Sequence, residues 1–286
     1  MNPYATLVSE YARLAREARA WPVGGFPPCP RPEIRADAPR ALIFSPHPDD
    51  EVIIGGLALR LLREAGWKVL NVAVTLGSSR ERQAERLAEL KRCCECIGFG
   101  LLQTLPSGLE RVNVSSRTSE PAHWAQCVEI IADLLIEHRP RVILFPHEHD
   151  WNSTHIGTHH LVMDALRTLG PEFSTSVVET EFWGQMAAPN LLVEISPRDL
   201  GDLITALTFH VGEVRRNPYH LSVPAWMMDN VRRGAEVVGG QGGAAPEFPF
   251  ATLYRLRRWQ GASVHDVLDH GRALAAVENA ATLFGG

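Results

Sequence analysis

From residue 40 onward, short apolar segments alternate with amphipathic segments, and this alternation restricts the fold more than any other feature of the chain. The apolar segments are the length of buried strands, and two of the amphipathic segments end in glycine, the residue that most often follows a helix. The predicted strands are 41–44, 68–75 and 141–146, and the predicted helices are 50–66, 80–98 and 123–138. Strands that alternate with helices form a parallel sheet with helices on both faces. We therefore predict an α/β protein with a Rossmann-like three-layer fold and a mostly parallel central sheet.

Residues 1–39 are predicted to lie outside this core. Apolar side chains recur at helical spacing in 4–20, which indicates a short peripheral helix. The segment 21–39 contains six prolines and two glycines, so it is predicted to be a surface loop. No repeat or clear linker follows, and we predict that 40–286 is a single domain.

The composition excludes several classes of protein. The chain has 28 Lys+Arg and 33 Asp+Glu, a net charge of −5, and no block of basic residues, so nucleic-acid binding is not expected. No window approaches the roughly 18 apolar residues of a membrane span, and residues 1–22 do not resemble a signal peptide. The five cysteines, an odd number, do not suggest a disulfide framework. A cytoplasmic protein is predicted.

Side chains that bind metals follow two of the predicted strands. His47, Asp49 and Asp50 come after the first strand, and His155 comes after the last. Ligands bind at the carboxyl ends of the strands in sheets of this kind. Imidazoles and carboxylates suit Zn²⁺, and a catalytic zinc site has three protein ligands and a fourth position for water. His47, Asp50 and His155 are the candidate ligands, which leaves the Asp49 carboxylate free beside the bound water.

The first of these clusters is also compatible with an ordinary helix start. Asp49 or Asp50 could be the N-cap, with Glu51 in the first turn, where the helix dipole favours acids. Capping does not exclude metal binding, because the same carboxylates can do both. It also leaves the second histidine cluster unexplained, so the coincidence of the two clusters favours a site.

The stretch Pro-His-Pro-Asp-Asp-Glu at 46–51 resembles the motif of the LmbE-like, or PIG-L, superfamily of zinc-dependent N-deacetylases. The resemblance is clear over about residues 40–166 and continues weakly through 193–196 and 206–210. Its other elements are Thr75-Leu76-Gly77, Arg86, Glu89 and the D-x-x-x-x-H element at 150–155.

The resemblance implies one Zn²⁺ per chain, held by His47, Asp50 and His155, with Asp49 as the general base. The distal motif of the family usually reads H-x-D-H, and its first histidine acts as an acid or stabilises the oxyanion. This chain has Asn152 at that position. An asparagine can donate a hydrogen bond to an oxyanion but cannot supply a proton at neutral pH. The acid would then be a neighbour such as His149 or His159, or the alignment of the motif differs.

In the second alignment His155 is the acid and His159 is the metal ligand. The two histidines are four apart in a segment predicted to be helical, so they would share a face. We prefer the first alignment because it needs no insertion.

Other polar residues have simpler interpretations. Arg80 and Arg82 follow the second strand and are placed near the same rim, with exposed helix charge as the alternative. His210 is a candidate for the pocket lining. The three cysteines within 93–96 lack a second pair at zinc-finger spacing and are predicted to pack in the core.

The resemblance implies a metal-dependent hydrolase that removes an N-acyl group, mainly N-acetyl, from an amino sugar or related glycoconjugate. One alternative is a deacylase for a bulkier N-acyl substrate. The pocket of that enzyme would be lined by Trp151, Trp183, Trp226 and Met227. Another is a non-catalytic metal- or sugar-binding protein of the same fold. A nucleotide-binding protein is excluded because no G-x-G-x-x-G follows the first strand. The partner is thus a small N-acetylated sugar, and oligomerisation is left open.

Overall fold

The computed structural model describes residues 2–285, in which helices cover both faces of a nine-stranded sheet. The strands are β1 (Arg40–Ser45), β2 (Lys68–Ala73), β3 (Gly100–Gln103), β4 (Val142–Pro146), β5 (Thr175–Thr180), β6 (Leu191–Glu194), β7 (Ala251–Gln260), β8 (Ser263–Asp266) and β9 (Arg272–Leu274). The helices are α1 (Pro3–Glu17), α2 (Asp50–Ile53), α3 (Gly56–Ala65), α4 (Arg80–Ile97), α5 (Val114–Ser119), α6 (Pro121–His138), α7 (Ser153–Thr168), α8 (Pro197–Leu207), α9 (Val211–Arg216) and α10 (Val223–Val237).

The strand order is β3-β2-β1-β4-β5-β7-β6-β9, and β8 pairs with β7. The first five strands in this order are parallel, and β7 is antiparallel to its neighbours β5 and β6. The predicted α/β fold with a mostly parallel sheet is therefore confirmed. The chain crosses over between β1 and β4, so the helices that follow these two strands diverge to opposite faces. A crevice opens at this point, where sheets of this kind bind ligands.

The side chains of β1 point alternately into two separate apolar cores, one on each face of the sheet. Ala41 and Ile43 contact the apolar cluster that includes α3, α4 and α8, whereas Leu42 and Phe44 contact the cluster formed by α6 and α7. The alternation follows from the two-residue period of a strand. All four side chains are at most 1% exposed, so the strand is apolar on both faces, as expected for a strand covered by helices on both sides.

The helix predicted over 50–66 is broken into α2 and α3. A Cβ on Gly55 would lie 2.5 Å from a backbone oxygen, and one on Gly56 would lie 2.3 Å from Ile195 Cδ1, so the break requires two glycines. The buried hydroxyl of Tyr254 donates to the Ile54 carbonyl at 2.6 Å and accepts from the Leu57 N–H at 3.1 Å. It thereby satisfies two of the backbone groups that the break leaves without helical partners.

The N-terminal segment lies on the outside of this framework. No residue of α1 is buried, and one 3₁₀ turn (Ala18–Ala20) follows it. The proline-rich segment 21–39 contains no helix or strand, and the Cys29 N–H donates to the Cys96 carbonyl at 2.8 Å. None of the helices within residues 2–285 combines the length and the apolar character needed to cross a membrane.

Candidate active site

A cleft of about 570 Å³ opens where β1 and β4 end. Its walls come from the loops after β1, β2 and β4, from the start of α4, and from residues between the end of β5 and the first turn of α10. It is lined by His47, Asp49, Asp50, Ile53, Gly77, Ser78, Ser79, Arg82, Arg86, Asn152, His155, Phe182, Trp183, Glu213, Arg216, Asn217, Tyr219, Ser222, Val223 and Trp226.

The turn between β1 and α2 has a strained backbone at Asp49. Its φ of 116° and ψ of −27° lie in the left-handed region, which residues other than glycine rarely adopt. Two side chains of the same turn hold it in place. Glu51 Oε2 accepts a hydrogen bond from the Asp49 N–H, and Asp50 Oδ2 accepts one from the His47 N–H, both at 2.9 Å. The turn thus directs the two adjacent aspartates to different partners.

His47, Asp50 and His155 converge on one point. His47 Nδ1 lies 3.3 Å from His155 Nε2 and 3.5 Å from Asp50 Oδ2, and His155 Nε2 lies 3.4 Å from the same carboxylate oxygen. The three atoms form a nearly equilateral triangle. Ligands about 2.0–2.1 Å from a tetrahedral zinc are separated by about 3.4 Å, so the donor set and its spacing fit such an ion.

The environment of His155 supports the same fit. The ring is almost completely buried, and its Nδ1 has no hydrogen-bond partner within residues 2–285. Asp150 Oδ1 lies 3.6 Å from that nitrogen and accepts a hydrogen bond from the Asn152 N–H at 2.8 Å. A histidine that ligates a metal commonly directs its other nitrogen toward a carboxylate, which fixes the ring orientation. Although burial opposes its ionisation, contacts with His155 and His47 lower the pKa of Asp50.

Asp49 points away from this triangle and accepts a hydrogen bond from the Tyr219 hydroxyl at 2.5 Å. Burial and the neighbouring charge of Asp50 raise the pKa of Asp49 to about 7. Burial and the Asp49 carboxylate raise the pKa of Tyr219 well above its usual range, so its hydroxyl keeps its proton and acts as a donor. A carboxylate with a pKa near 7 is suited to accept and return a proton at neutral pH.

Behind the turn, Glu51 and His210 form a buried pair. Glu51 Oε1 lies 2.8 Å from His210 Nε2, and both side chains are at most 1% exposed. Burial works against protonation of His210, but the Glu51 carboxylate raises its pKa overall. Cys93 completes a second group of three potential ligands with these residues. His210 does not line the cleft, in contrast to the sequence-based hypothesis.

Asn152 lies in the cleft wall and is the N-cap of α7. Its Oδ1 accepts a hydrogen bond from the Thr154 N–H at 2.8 Å. The carboxamide Nδ2 donates no hydrogen bond to the part of the chain that the structure describes, 2–285. The side chain therefore has a donor left for a ligand in the cleft.

The structure does not bring the other candidate histidines to the cleft. His159 is buried, its Nδ1 lies 3.0 Å from the Pro146 carbonyl, and burial lowers its pKa to about 4. His149 is exposed, with 76% of its side chain accessible. His147 Nε2 lies 2.8 Å from the Gly184 carbonyl, and its Nδ1 accepts the His149 N–H at 3.3 Å, so both ring nitrogens already have partners outside the cleft.

Most of the remaining sequence-based hypotheses are resolved by burial and position. Trp183 and Trp226 line the cleft, whereas Trp151 is 83% exposed and Met227 is buried elsewhere. Arg82 also lines the cleft, whereas the neighbouring Arg80 pairs with Glu110 at 2.7 Å. All five cysteines are buried and free, and those of 93–96 lie in the core, as predicted. Sequence analysis missed Phe182, Glu213, Arg216 and Tyr219.

Comparisons with known proteins identify a family and a fold that this chain resembles. A family profile described as "PIG-L: GlcNAc-PI de-N-acetylase" matches residues 42–166. Over 89 residues the chain is 34% identical to the 1D-myo-inositol 2-acetamido-2-deoxy-alpha-D-glucopyranoside deacetylase of Segniliparus rotundus. That match covers 31% of this chain and 28% of the length of that protein.

Two solved structures share the fold. The N,N'-diacetylchitobiose deacetylase of Pyrococcus horikoshii has 16% identity and a TM-score of 0.57, covering 87% of this chain and 91% of its own. The hydratase GalB of Pseudomonas putida KT2440 has 17% identity and a TM-score of 0.57, covering 76% of this chain and 95% of its own. The resemblance expected from the Pro-His-Pro-Asp-Asp-Glu stretch is confirmed: residues 42–166 match the PIG-L family, and the fold around them is that of these solved enzymes.

Proposed function

We propose that the protein is a metal-dependent hydrolase that removes the N-acetyl group from an amino sugar or a related glycoconjugate. The triangle of His47, Asp50 and His155 beside the free carboxylate of Asp49 carries this proposal. Amide hydrolysis needs a polarised carbonyl, an activated water and a proton for the leaving amine. Within the described residues, these side chains meet in a single cleft.

We assign Zn²⁺ as the metal, with His47, Asp50 and His155 as its ligands. Two imidazoles and one carboxylate match the ligands of catalytic zinc, and the triangle leaves one side open to the cleft. Bound there, the ion supplies a Lewis acid and lowers the pKa of water.

Asp49 is the proposed general base. It accepts the proton of the attacking water, and the Tyr219 hydroxyl orients its carboxylate during this transfer. Because the pKa of Asp49 is raised to about 7, the protonated side chain is also acidic enough to return the proton to the departing amine. The free Nδ2 of Asn152 is a donor for the oxyanion that develops on the acyl oxygen. In this arrangement His159 is not needed as an acid.

The choice of substrate is supported by the relatives and by the shape of the cleft. The protein from Segniliparus rotundus is named as a deacetylase of an acetamido sugar, and the one from Pyrococcus horikoshii as a deacetylase of diacetylchitobiose. A volume of about 570 Å³ is typical of small-ligand sites, and Trp183 and Trp226 provide apolar surfaces for a sugar ring. The free, buried cysteines support the proposed cytoplasmic location.

The test is acetate release from a panel of N-acetylated amino sugars by the zinc-loaded protein. Asp49→Asn should keep its zinc and lose roughly 10²-fold or more of kcat, the usual contribution of a positioned base. The exposed neighbour of the motif, Glu148→Gln, is a matched control that should retain full activity. The proposal is wrong if no N-acetylated sugar is cleaved, and cleavage of long-chain N-acyl sugars alone would support the bulkier-substrate alternative. Binding of N-acetylated sugars without cleavage would instead support the non-catalytic alternative.

A further inference from the structure

Three guanidinium groups surround one carboxylate in the wall of the cleft. Arg82 Nη2 lies 2.9 Å from Glu213 Oε1, and Arg86 Nε lies 3.8 Å from the same oxygen. Arg216 forms a close ion pair with the other oxygen of Glu213. The Glu213 side chain is 6% exposed, and despite this burial the arginines lower its pKa, so it is ionised. Three guanidinium groups thus share this one carboxylate within 4 Å.

The three arginines differ in how many of their donors are already used. Arg86 also donates to the Pro48 carbonyl at 3.1 Å and packs against Gly77, so its side chain belongs to the floor of the cleft. Arg82 and Arg216 contact only Glu213 among the carboxylates within 4 Å in residues 2–285, and their side chains are 35% and 69% exposed. Since a guanidinium has five N–H donors, both can bind a ligand without releasing Glu213.

Other groups on the same wall of the cleft also favour an anionic ligand. Ser78 and Ser79 line the cleft, and Ser79 is the N-cap residue of α4, a helix of 18 residues. The Ser79 side chain makes no capping hydrogen bond, so its hydroxyl is available to a ligand. The N-terminus of a helix favours negative charge, which adds to the field of the arginines.

The residues of this wall and the proposed catalytic groups line the same cleft. Glu213, which binds the arginines, and Tyr219, which donates a hydrogen bond to Asp49, also line it. A ligand with its acetamido group at His47 and His155 can therefore extend along the cleft lining toward Arg82 and Arg216.

We propose that the wall formed by Arg82, Arg216 and Ser79 binds an acidic substituent, a phosphate or a carboxylate, carried by the amino sugar. Arginine suits this role because its planar fork matches both groups in a bidentate arrangement. The inference rests on the proposed function for the identity of the sugar, but the arginine wall itself does not depend on hydrolysis.

Binding measurements separate the two proposals. We would titrate Asp49→Asn protein, which should turn over its ligand roughly 10²-fold more slowly, with N-acetylglucosamine, its 1-phosphate, its 6-phosphate and N-acetylmuramic acid. At least one acidic probe should bind 10-fold or more tightly than the neutral sugar at low salt, and the preference should shrink as salt screens the charges. Whether the phosphates or the carboxylate gain affinity identifies the substituent.

Arg82→Gln and Arg216→Gln should each reduce the preference for the acidic probe about 10-fold, while affinity for the neutral sugar stays within about twofold. Arg80→Gln is the matched control, because Arg80 is in the same helical turn as Arg82 but pairs with Glu110. The inference is overturned if no acidic probe binds better than N-acetylglucosamine, or if Arg80→Gln changes the preference as much as Arg82→Gln. Acid-selective binding by a protein that releases no acetate would overturn only the proposed hydrolysis.

Discussion

Glu51 Oε2 accepts a hydrogen bond from the backbone N–H of Asp49 at 2.9 Å, so a completely buried carboxylate holds the proposed base in its left-handed conformation. The other oxygen of Glu51 contacts His210 at 2.8 Å. The orientation of Asp49 thus depends on a buried ion pair that does not face the cleft. Glu51 and His210 are positioning residues by this geometry.

Replacing Glu51 should therefore lower kcat without removing the metal. Glu51→Ala removes the acceptor for the Asp49 N–H, and a displacement of the base by even 1 Å typically costs about 10²-fold in rate. We expect a loss of kcat of at least about 10-fold, with little change in KM. Glu51→Gln retains one acceptor oxygen and should recover part of the loss. Unchanged kcat in a folded Glu51→Ala protein would contradict this role.

Metal analysis distinguishes the two alignments of the distal motif. His155→Ala should lose most of its zinc, since His155 Nε2 forms one corner of the ligand triangle. His159→Ala should retain its zinc, because the His159 ring contacts the Pro146 carbonyl behind the site. The measurement is zinc per chain after dialysis, and the reverse pattern would show that His159 is the ligand.

Two substitutions of Asn152 separate its capping role from its proposed role toward the oxyanion. Asn152→Asp keeps an N-cap oxygen for the Thr154 N–H, so stability should be preserved, but the free amide donor is lost. We expect kcat to fall by roughly 10²-fold, as when one oxyanion donor is removed. Asn152→Ala should lose activity and, in addition, about 1 kcal/mol of stability. Full activity in Asn152→Asp would exclude Asn152 from catalysis.

Acid should weaken the fold through Asp164. This side chain accepts hydrogen bonds from Arg117 and from the Trp124 indole, and despite partial burial these contacts lower its pKa. A lowered folded-state pKa stabilises the protein above the unfolded value of about 3.9, and this stabilisation is lost as the pH falls through the folded pKa.

Denaturant unfolding across pH tests this contribution. Asp164→Asn should be less stable than the wild type near neutral pH, and the difference should shrink below about pH 4. Asp133→Asn, at an exposed position of α6, is the control and should run parallel to the wild type. A difference that stays constant down to low pH would refute the assignment.

Arg60 should be among the most sensitive positions for stability. Its side chain is 1% exposed, pairs with Glu64 at 2.6 Å, and donates to the carbonyls of Glu194, Ala275 and Glu278 at 3.0, 2.9 and 2.6 Å. Arg60→Met leaves three partly buried carbonyls and the Glu64 carboxylate without this donor and should cost about 3 kcal/mol in the free energy of unfolding. The exposed Arg92→Met is the control, and an Arg60→Met protein of unchanged stability would contradict the prediction.

Strands β1, β2 and β4 and the long helices beside them could be predicted because they are periodic and mostly apolar on their buried faces. Helices α4, α6 and α7 each have at least 16 residues, whereas the four-residue β3 and the six-residue α5 were not predicted. The C-terminal strands could not be predicted in the same way. β6 has four residues and β9 has three, and their positions depend on pairing with strands distant in sequence, since β6 pairs with β7 and β9 pairs with β6.

The residues of the site show the same difference between local signals, which a sequence reveals, and contacts between distant segments, which it does not. His47, Asp49, Asp50 and His155 belong to dense clusters of polar residues at strand ends, which a sequence reveals directly. Tyr219 reaches Asp49 across 170 residues from a single 3₁₀ turn (Tyr219–Leu221), and nothing in its local sequence indicates that contact. The break between α2 and α3 was missed for a similar reason, because the Tyr254 hydroxyl that stabilises it comes from β7.

The matched segment 42–166 contains all the proposed metal ligands and the proposed base, whereas Glu213, Arg216 and Tyr219 lie beyond it. The later stretch thus supplies Arg216 to the proposed substrate wall and Tyr219 to the proposed base, whereas Arg82 and Ser79 of the same wall lie within the matched segment. Substitutions in the later stretch can change what enters the cleft while the ligand triangle stays intact. A chimera that takes residues 211–218 from a relative should accordingly change the selectivity and keep this protein's metal, because this segment contains Glu213 and Arg216 but none of the ligand triangle and neither Tyr219 nor His210.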